Sequence, residues 1–567
     1  MGKYTVKDTP SGGATLVYND SIRLHSAYDP GKEAQRAVSA FKAGRASIIL
    51  VSGMGLAYHV QSLKKKYPHV NIIVMEHDVE VVDIAMKICP DHLTDVAVVN
   101  SSYDLPKIFE ELDLSDFKGI SLYTHRSSYQ IYKDFYDGII KDISQYISSK
   151  VSDLLTRFEF EERWVENIFS NIPLVFKSST VINLFGKFKG YPGIIVSAGP
   201  SLRKNVELLH KIKDKALIVC VDTAIKVLTR RNIYPHIVMT LDAQAYSVKH
   251  FLGLSNYYPV LLADVVSNPG VARQYKGKKV ISTTAKYYTD SRGESKREAT
   301  PVMDWIERYI PPIGDIQSGG SVATSVFDLL LNLGCDPIVL MGQDLAYTGR
   351  EIHCSGTYHN DDWLTKYSRV LNLDTINQRV IRKRQIKYVD AYGKSGKVIS
   401  DFVFDLYKGW FEDSAGKVKA AIVNSTEGGA FIRNTVEKSL EQLIKESPDR
   451  KQTPGEIIDR FLSGHNKTGH NEFNEALKKA VAGINKISQM SQDAIENNLD
   501  TDLAALIDDY DLSLLYNPYL RKTNTYLSRH EIEPEKAVLM INKNILSASK
   551  KLATIVSNCV KNLNATQ

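Results

Sequence analysis

Six short apolar runs, 193–198, 216–221, 236–241, 259–264, 279–283 and 337–342, constrain the fold of this chain more than any other feature. They are rich in branched residues and nearly free of charge, as strands buried on both faces are. Amphipathic stretches separate them, so the expected arrangement is α/β, a doubly wound sheet of parallel strands with helices on both faces. In such sheets ligands bind outside the carboxyl ends of the strands. The polar residues after each run are therefore the candidate functional residues.

The first run ends in Gly199-Pro200-Ser201. Gly199 lets a neighbour approach the backbone closely. Ser201 is expected to cap a helix over RKNVELLHKI, with its first amides facing an anion. The later runs end in Asp222-Thr223, in Asp242 with Gln244, and in Gln343-Asp344 with Tyr347 on the same loop. A second glycine-rich turn, Ser318-Gly319-Gly320, opens the helix VATSVFDLLLNLG. Two amide-lined turns, carboxylates for ribose hydroxyls and a tyrosine suit a nucleotide-linked sugar. The alternatives at each position are ordinary: a serine before a helix is often only a cap, and an aspartate after a strand only a turn residue. There is no G-x-x-x-x-G-K-[ST] and no H-E-x-x-H, and Asp242-Ala243-Gln244 lacks the second carboxylate of a D-x-D motif. This argues against a P-loop NTPase, and the sequence requires no divalent ion; helix-end amides and tyrosine hydroxyls can meet leaving-group charge.

Residues 1–125 carry a second α/β pattern. A strand at 46–51, the turn Ser52-Gly53-Met54-Gly55, a helix at 56–66 and a strand at 70–75 ending in Glu76-His77-Asp78 form a βαβ unit. This is the layout of a dinucleotide-binding half, but Tyr58 stands at the third glycine position. A nucleotide site and a Rossmann-like domain used for packing both remain open. Residues 126–185 have helical periodicity and form a connector, 186–430 hold the central domain, and 431–567 form an all-helical region for packing, oligomerisation or docking a protein partner.

A length of 567 residues calls for several domains. The net charge of +6 is small for that length, and no basic stripe with interleaved aromatics argues for nucleic acid. The five cysteines are widely spaced, with no CxxC, so they are expected to be reduced thiols, with neither a disulfide framework nor a structural zinc. The N-terminus has no apolar signal core and no run is long enough to cross a membrane, so a cytoplasmic protein is expected.

At these residues the chain resembles the motility accessory factor (Maf) proteins, flagellin nonulosonic-acid transferases. The matching pieces are GPSL (199–202), VDTA (221–224), TLDAQ (240–244), SGGSVAT (318–324), GCDPIVLMGQDLAYT (334–348) and NSTEGGA (424–430). The central domain is also similar to bacterial sialyltransferases of modified GT-A type. That resemblance implies that Gly199, Pro200, Ser201, Ser318, Gly319 and Gly320 hold the CMP moiety, and that Gln343, Asp344 and Tyr347 shape the donor-sugar site. It implies transfer of a pseudaminic- or legionaminic-type sugar from its CMP form to Ser/Thr of flagellin, with CMP-sugar and flagellin as partners, no cofactor and the possibility of a homo-oligomer. The base is expected at His353, with Asp344 or Asp242 as alternatives; His359 follows on the same segment. The sialyltransferase histidine lies farther along the chain, which leaves the base open. Distant relatives of the central domain imply a pterin pyrophosphokinase using ATP and Mg²⁺, and a non-catalytic flagellin-binding role is a third reading.

Overall fold

The computed structural model describes residues 2–101, 104, 105, 108, 112, 117–254, 259–289, 295–298, 300–462, 468–497, 502–530 and 532–565. They fall into two compact units, 1–158 with 287–296, and 159–286 with 297–567.

The first unit opens with an antiparallel meander of β1 (Tyr4–Asp8), β2 (Ala14–Tyr18) and β3 (Ile22–Arg23). A parallel sheet follows, built from β4 (Ile48–Ser52), β5 (Asn71–Met75), β6 (Ala97–Val99) and β7 (Ile120–Thr124) in the order β6-β5-β4-β7. Every residue of β4 is buried, as the central strand of a parallel sheet must be. The expected βαβ unit is present, its helix running Tyr58–Lys66. The connector expected over 126–185 is helical only as far as Val175. A six-residue helix, Arg126–Ile131, precedes a 43-residue helix, Lys133–Val175, on which the chain passes into the second unit. The remainder carries a strand of the central sheet, Ser179–Thr180, and a 3₁₀ turn, Val181–Leu184.

The second unit is organised on ten strands. They are β8 (Ser179–Thr180), β9 (Gly193–Val196), β10 (Leu217–Val221), β11 (Ile237–Thr240), β12 (Val260–Asp264), β13 (Lys279–Thr284), β16 (Asp315–Ile316), β17 (Ile338–Met341), β20 (Ile422–Asn424) and β21 (Val436–Glu437). The antiparallel pair β18 (Ile386–Asp390) and β19 (Lys397–Asp401) lies outside this sheet, as does the two-stranded pair β14 (Tyr287–Thr289) and β15 (Ser295–Arg297), which falls almost wholly in the first unit. The order is β16-β13-β12-β11-β10-β9-β17-β20-β21, with β8 beside β13 and every pairing parallel. Strand order reverses at β9: the chain builds outward from β9 to β16, then returns to place β17 on the other side. The crevice of a doubly wound sheet opens at that reversal, outside the ends of β9 and β17. All six expected strands are there. They sit in the order that puts the GPSL turn and the Gln343–Tyr347 loop side by side.

Two expectations change. The helix expected after Ser201 is a pair of 3₁₀ segments, Pro200–Lys204 and Val206–Lys211, broken at Asn205. The Asn205 side chain donates to the Ser425 carbonyl and to Glu427, both at 2.9 Å, so a tertiary contact overrides helical propensity. In addition, the region after 430 is not helical from its start, because Val436–Glu437 pairs with β20 as an edge strand. Nor does that region have a separate interior. One continuous apolar core runs from Val165 through the sheet to Phe473, Tyr516, Leu552 and Leu563. The C-terminal helices His470–Asn497, Ser513–Arg529 and Pro534–Asn564 therefore close the same core.

Helix Val322–Leu333 shows why the local sequence suffices here. Ser321 and Thr324 form a capping box at its start, and Gly334 ends it at φ 87°. Its Phe327, fully buried, meets Trp410 and Phe411 edge-to-face, each with 5.7 Å between ring centroids. Phe327→Ala is expected to lower stability by about 3–5 kcal/mol. Denaturant titration checks this, and a loss under about 1 kcal/mol would contradict the packing described.

Candidate functional site

The GPSL turn is fastened to the loop after β17. The Gly199 amide donates to the Gly342 carbonyl at 2.8 Å, and the Ser197 hydroxyl donates to Gln343 Oε1 at 2.6 Å. The Ser201 hydroxyl donates to Asp344 Oδ1 at 2.5 Å, its amide lies 3.2 Å from Oδ2, and the Thr348 hydroxyl donates to Oδ2 at 2.6 Å. A Cβ at Gly199 would lie 2.1 Å from Asp344 Oδ1, so only glycine permits this approach. Asp344 and Ser201 are both buried, and burial raises the Asp344 pKa. The structure thus gives Asp344, expected as a catalytic group, the work of holding the turn. Tyr347 is also inward: buried, it donates its hydroxyl to Asp401 Oδ2.

The second turn is similarly knit. The Gly319 amide donates to Thr324 Oγ1 at 2.9 Å and the Gly320 amide to Ser318 Oγ at 3.3 Å. Gly319 lies against the Trp410 ring and Gly320, at φ 95°, beside Tyr407. Both glycines are required, since a Cβ at Gly319 would meet Trp410 at 2.4 Å.

At the ends of β10 and β11 the picture differs. Asp222 is buried, accepts from the Thr223 amide at 2.7 Å and from the Thr240 hydroxyl at 2.9 Å, and has a pKa raised by burial. Asp242 is exposed, and its Oδ1 accepts from the Gln244 amide at 2.8 Å. Beside them three imidazoles gather. His353 stacks on His359 with 4.8 Å between centroids, and His359 lies 5.4 Å from His250. The His353 ring is held by the Ala198 carbonyl at the end of β9. Nδ1 of His359 meets the Tyr246 hydroxyl at 3.1 Å. Nδ1 of His250 is buried and finds no hydrogen-bond partner among the described residues, a condition that in native proteins calls for an explanation.

Burial pushes all three imidazoles below their ordinary pKa, His353 to about 3 and His250 and His359 to about 4. All are neutral at pH 7 and able to accept a proton. Cations border the cluster: Lys226 lies 4.9 Å from the Tyr358 ring, and Lys249 lies 5.1 Å and 5.4 Å from Tyr246 and Tyr358. Of this group, the sequence pointed to Asp222, Thr223, Asp242, Gln244, His353 and His359. It missed His250, Tyr246, Tyr358 and both lysines. Tyr246 and His250 had a usable signal: they follow β11 on the same carboxyl-end loop as Asp242.

The βαβ turn of the first unit is engaged internally. The Met54 amide donates to Glu76 Oε2 at 3.0 Å and the Leu56 amide to His25 Nε2 at 2.7 Å. Protein side chains therefore occupy the amides that would face a pyrophosphate, and the packing role is the one the structure displays. Burial holds Glu76 at a pKa of about 7.

Comparison with known proteins adds to this geometry. A family model described as 6-hydroxymethylpterin diphosphokinase MptE-like matches residues 166–350, which carry β8 to β17 and the Gln343–Tyr347 loop. Two uncharacterized proteins of Treponema pallidum (strain Nichols) are similar in sequence. One is 25% identical over 268 residues, 46% of this chain and 46% of its own length. The other is 24% identical over 197 residues, 32% of this chain and 50% of its own length. The matches span about half the length of these relatives. The MAf glycosyltransferase from Magnetospirillum magneticum AMB-1 is similar in structure, with a TM-score of 0.55 at 13% identity, over 100% of this chain and 90% of that one. The chain thus shares, over its whole length, the multidomain α/β fold of a Maf glycosyltransferase, with an MptE-like segment at its centre.

Proposed function

We propose that this chain is a glycosyltransferase that moves a nonulosonic acid, of the pseudaminic or legionaminic type, from its CMP-linked donor to Ser/Thr hydroxyls of flagellin. The observation that carries this reading is the cluster of neutral histidines with flanking lysines at the strand ends of a Maf-like fold. His353 takes the proton of the acceptor hydroxyl. The Ala198 carbonyl fixes its tautomer by binding one ring N–H, which leaves the other nitrogen basic. The acceptor oxygen then bonds to the anomeric carbon as the bond to phosphate breaks, and CMP departs with the electron pair. Lys226 and Lys249 meet the charge of donor and leaving group, so the step asks for no divalent ion. Thr223, Asp242 and Gln244 contact the donor, and His250 Nδ1 offers it a further hydrogen bond.

The MptE-like match favours a second reading, pyrophosphoryl transfer from ATP to a pterin alcohol. Thermal-shift titration separates the two. CMP stabilises the chain under the first and ATP with Mg²⁺ under the second; stabilisation by ATP-Mg²⁺ alone would overturn the transferase.

The acid limb of the rate profile follows from the imidazole environment. A general base must be unprotonated in the free enzyme, and here protonation is deferred from 6.5 to about 3 for His353. kcat/KM is expected to stay level as pH falls through 6.5 and to reach half its maximum only near pH 3. A half-maximal point near 6.5 would show that the base is an ordinary solvated histidine elsewhere.

A further inference from the structure

Three more histidines, unused by the proposed reaction, converge inside the first unit. They come from separate segments: His25 follows β3, His59 lies in helix Tyr58–Lys66, and His125 follows β7. Each offers a ring nitrogen, and these atoms all lie within 4.8 Å of one another. His59 and His125 are stacked with 4.6 Å between centroids and 10° between planes, and His25 lies 5.0 Å from His125. His25 and His59 are only 5% and 2% exposed. The expectation of no structural zinc rested on the cysteines alone; the spacing of 25, 59 and 125 resembles no metal motif, so the sequence did not point to these histidines.

We propose that His25, His59 and His125 form a binding site for one divalent transition-metal ion, zinc by preference. The donor set decides the class. Three imidazoles without a carboxylate suit zinc and its neighbours and exclude magnesium and calcium, which take oxygen ligands. Glu76, the nearby buried carboxylate, already accepts from Met54, Asp78 and Tyr136.

The surrounding contacts suit two of the three ligands. Nε2 of His59 donates to the Gly53 carbonyl at 3.1 Å, and the His125 ring is held by the Leu24 carbonyl. Metal-bound histidines are commonly anchored in this way through the nitrogen that faces away from the ion. Nδ1 of His125 meets the Ser128 hydroxyl at 2.8 Å, a rotor able to turn its proton aside. His25 is the member that adjusts, because metal binding competes with the 2.7 Å bond from the Leu56 amide to its Nε2. The set must also draw in, since tetrahedral bonds of about 2.0–2.1 Å place ligand atoms roughly 3.4 Å apart. Burial lowers the pKa of all three, so each is in the neutral form a metal needs. A metal here ties together three segments that are 34 and 66 residues apart in sequence, and is therefore structural.

The test uses the full chain, freed of any histidine tag and stripped with EDTA. Titration with Co²⁺ is expected to give the intense visible bands of a tetrahedral site at about one equivalent, abolished by one equivalent of Zn²⁺. The bands are expected to persist in His353→Ala and to vanish in His59→Ala and His125→Ala with circular dichroism unchanged. No cobalt bands in the wild-type chain, or bands kept in both His59→Ala and His125→Ala, would overturn the site. If those variants do not fold, X-ray absorption on the zinc-loaded wild type decides. Three imidazole nitrogens at about 2.0–2.1 Å support the site, and fewer refute it.

Discussion

His353→Ala is expected to lower kcat for sugar transfer about 10²–10⁴-fold while leaving the chain folded, the usual range for loss of a positioned general base. The ring is half-buried and held by a single backbone carbonyl and by stacking on His359, so removing it opens a small gap at the edge of the site. His359→Ala is expected to act more mildly, because its Nδ1 is already engaged by Tyr246 and its effect on the proton passes through the stacked pair. Steady-state kinetics on both variants, with thermal melts as the control for folding, check the assignment. If His353→Ala keeps activity within tenfold while His359→Ala loses more, the base is His359. If neither falls by tenfold, the cluster is not where the proton goes.

Asp344→Ala should fail for a different reason. The aspartate is buried and is the acceptor for the Ser201 amide and hydroxyl and for the Thr348 hydroxyl. Stranding buried donors costs about 1–3 kcal/mol each, so the variant is expected to lose roughly 3–5 kcal/mol, a large share of a typical total stability of about 5–15 kcal/mol. Asp344→Asn, which keeps one carbonyl oxygen, should cost clearly less. Burial raises the pKa of Asp344, so a neutral group there is tolerated better than no group. Urea titration reads both. A fully stable but inactive Asp344→Ala would return Asp344 to the chemistry.

These two residues show what a sequence can convey about such a site. The parallel strands were legible because burial on both faces leaves an apolar run that no surface segment shares; β10, Leu217–Val221, is buried at every position. The motifs at the strand ends were legible as places but not as roles. GPSL and GQD sit together because β17 returns beside β9, and only that adjacency shows Asp344 turned toward Ser201 rather than toward a ligand. The helix expected after Ser201 failed because Asn205 bonds to Ser425 and Glu427, residues more than 200 positions away. His353 and His359 were legible as candidates, but neither histidine cluster was legible as a cluster, for the same reason. His250 joins His353 and His359 from across the sheet edge, and His25, His59 and His125 come from three elements with no shared period. Local propensity carries no record of such meetings.

The central claim is transfer of a nonulosonic acid to flagellin, and intact-mass analysis tests it most directly. Flagellin is coexpressed with this chain and a CMP-nonulosonate pathway, with donor formation confirmed in the same cells. The expected result is flagellin heavier by whole multiples of one nonulosonic acid residue, with the increments lost in His353→Ala. Flagellin of unmodified mass in the presence of confirmed donor would contradict it.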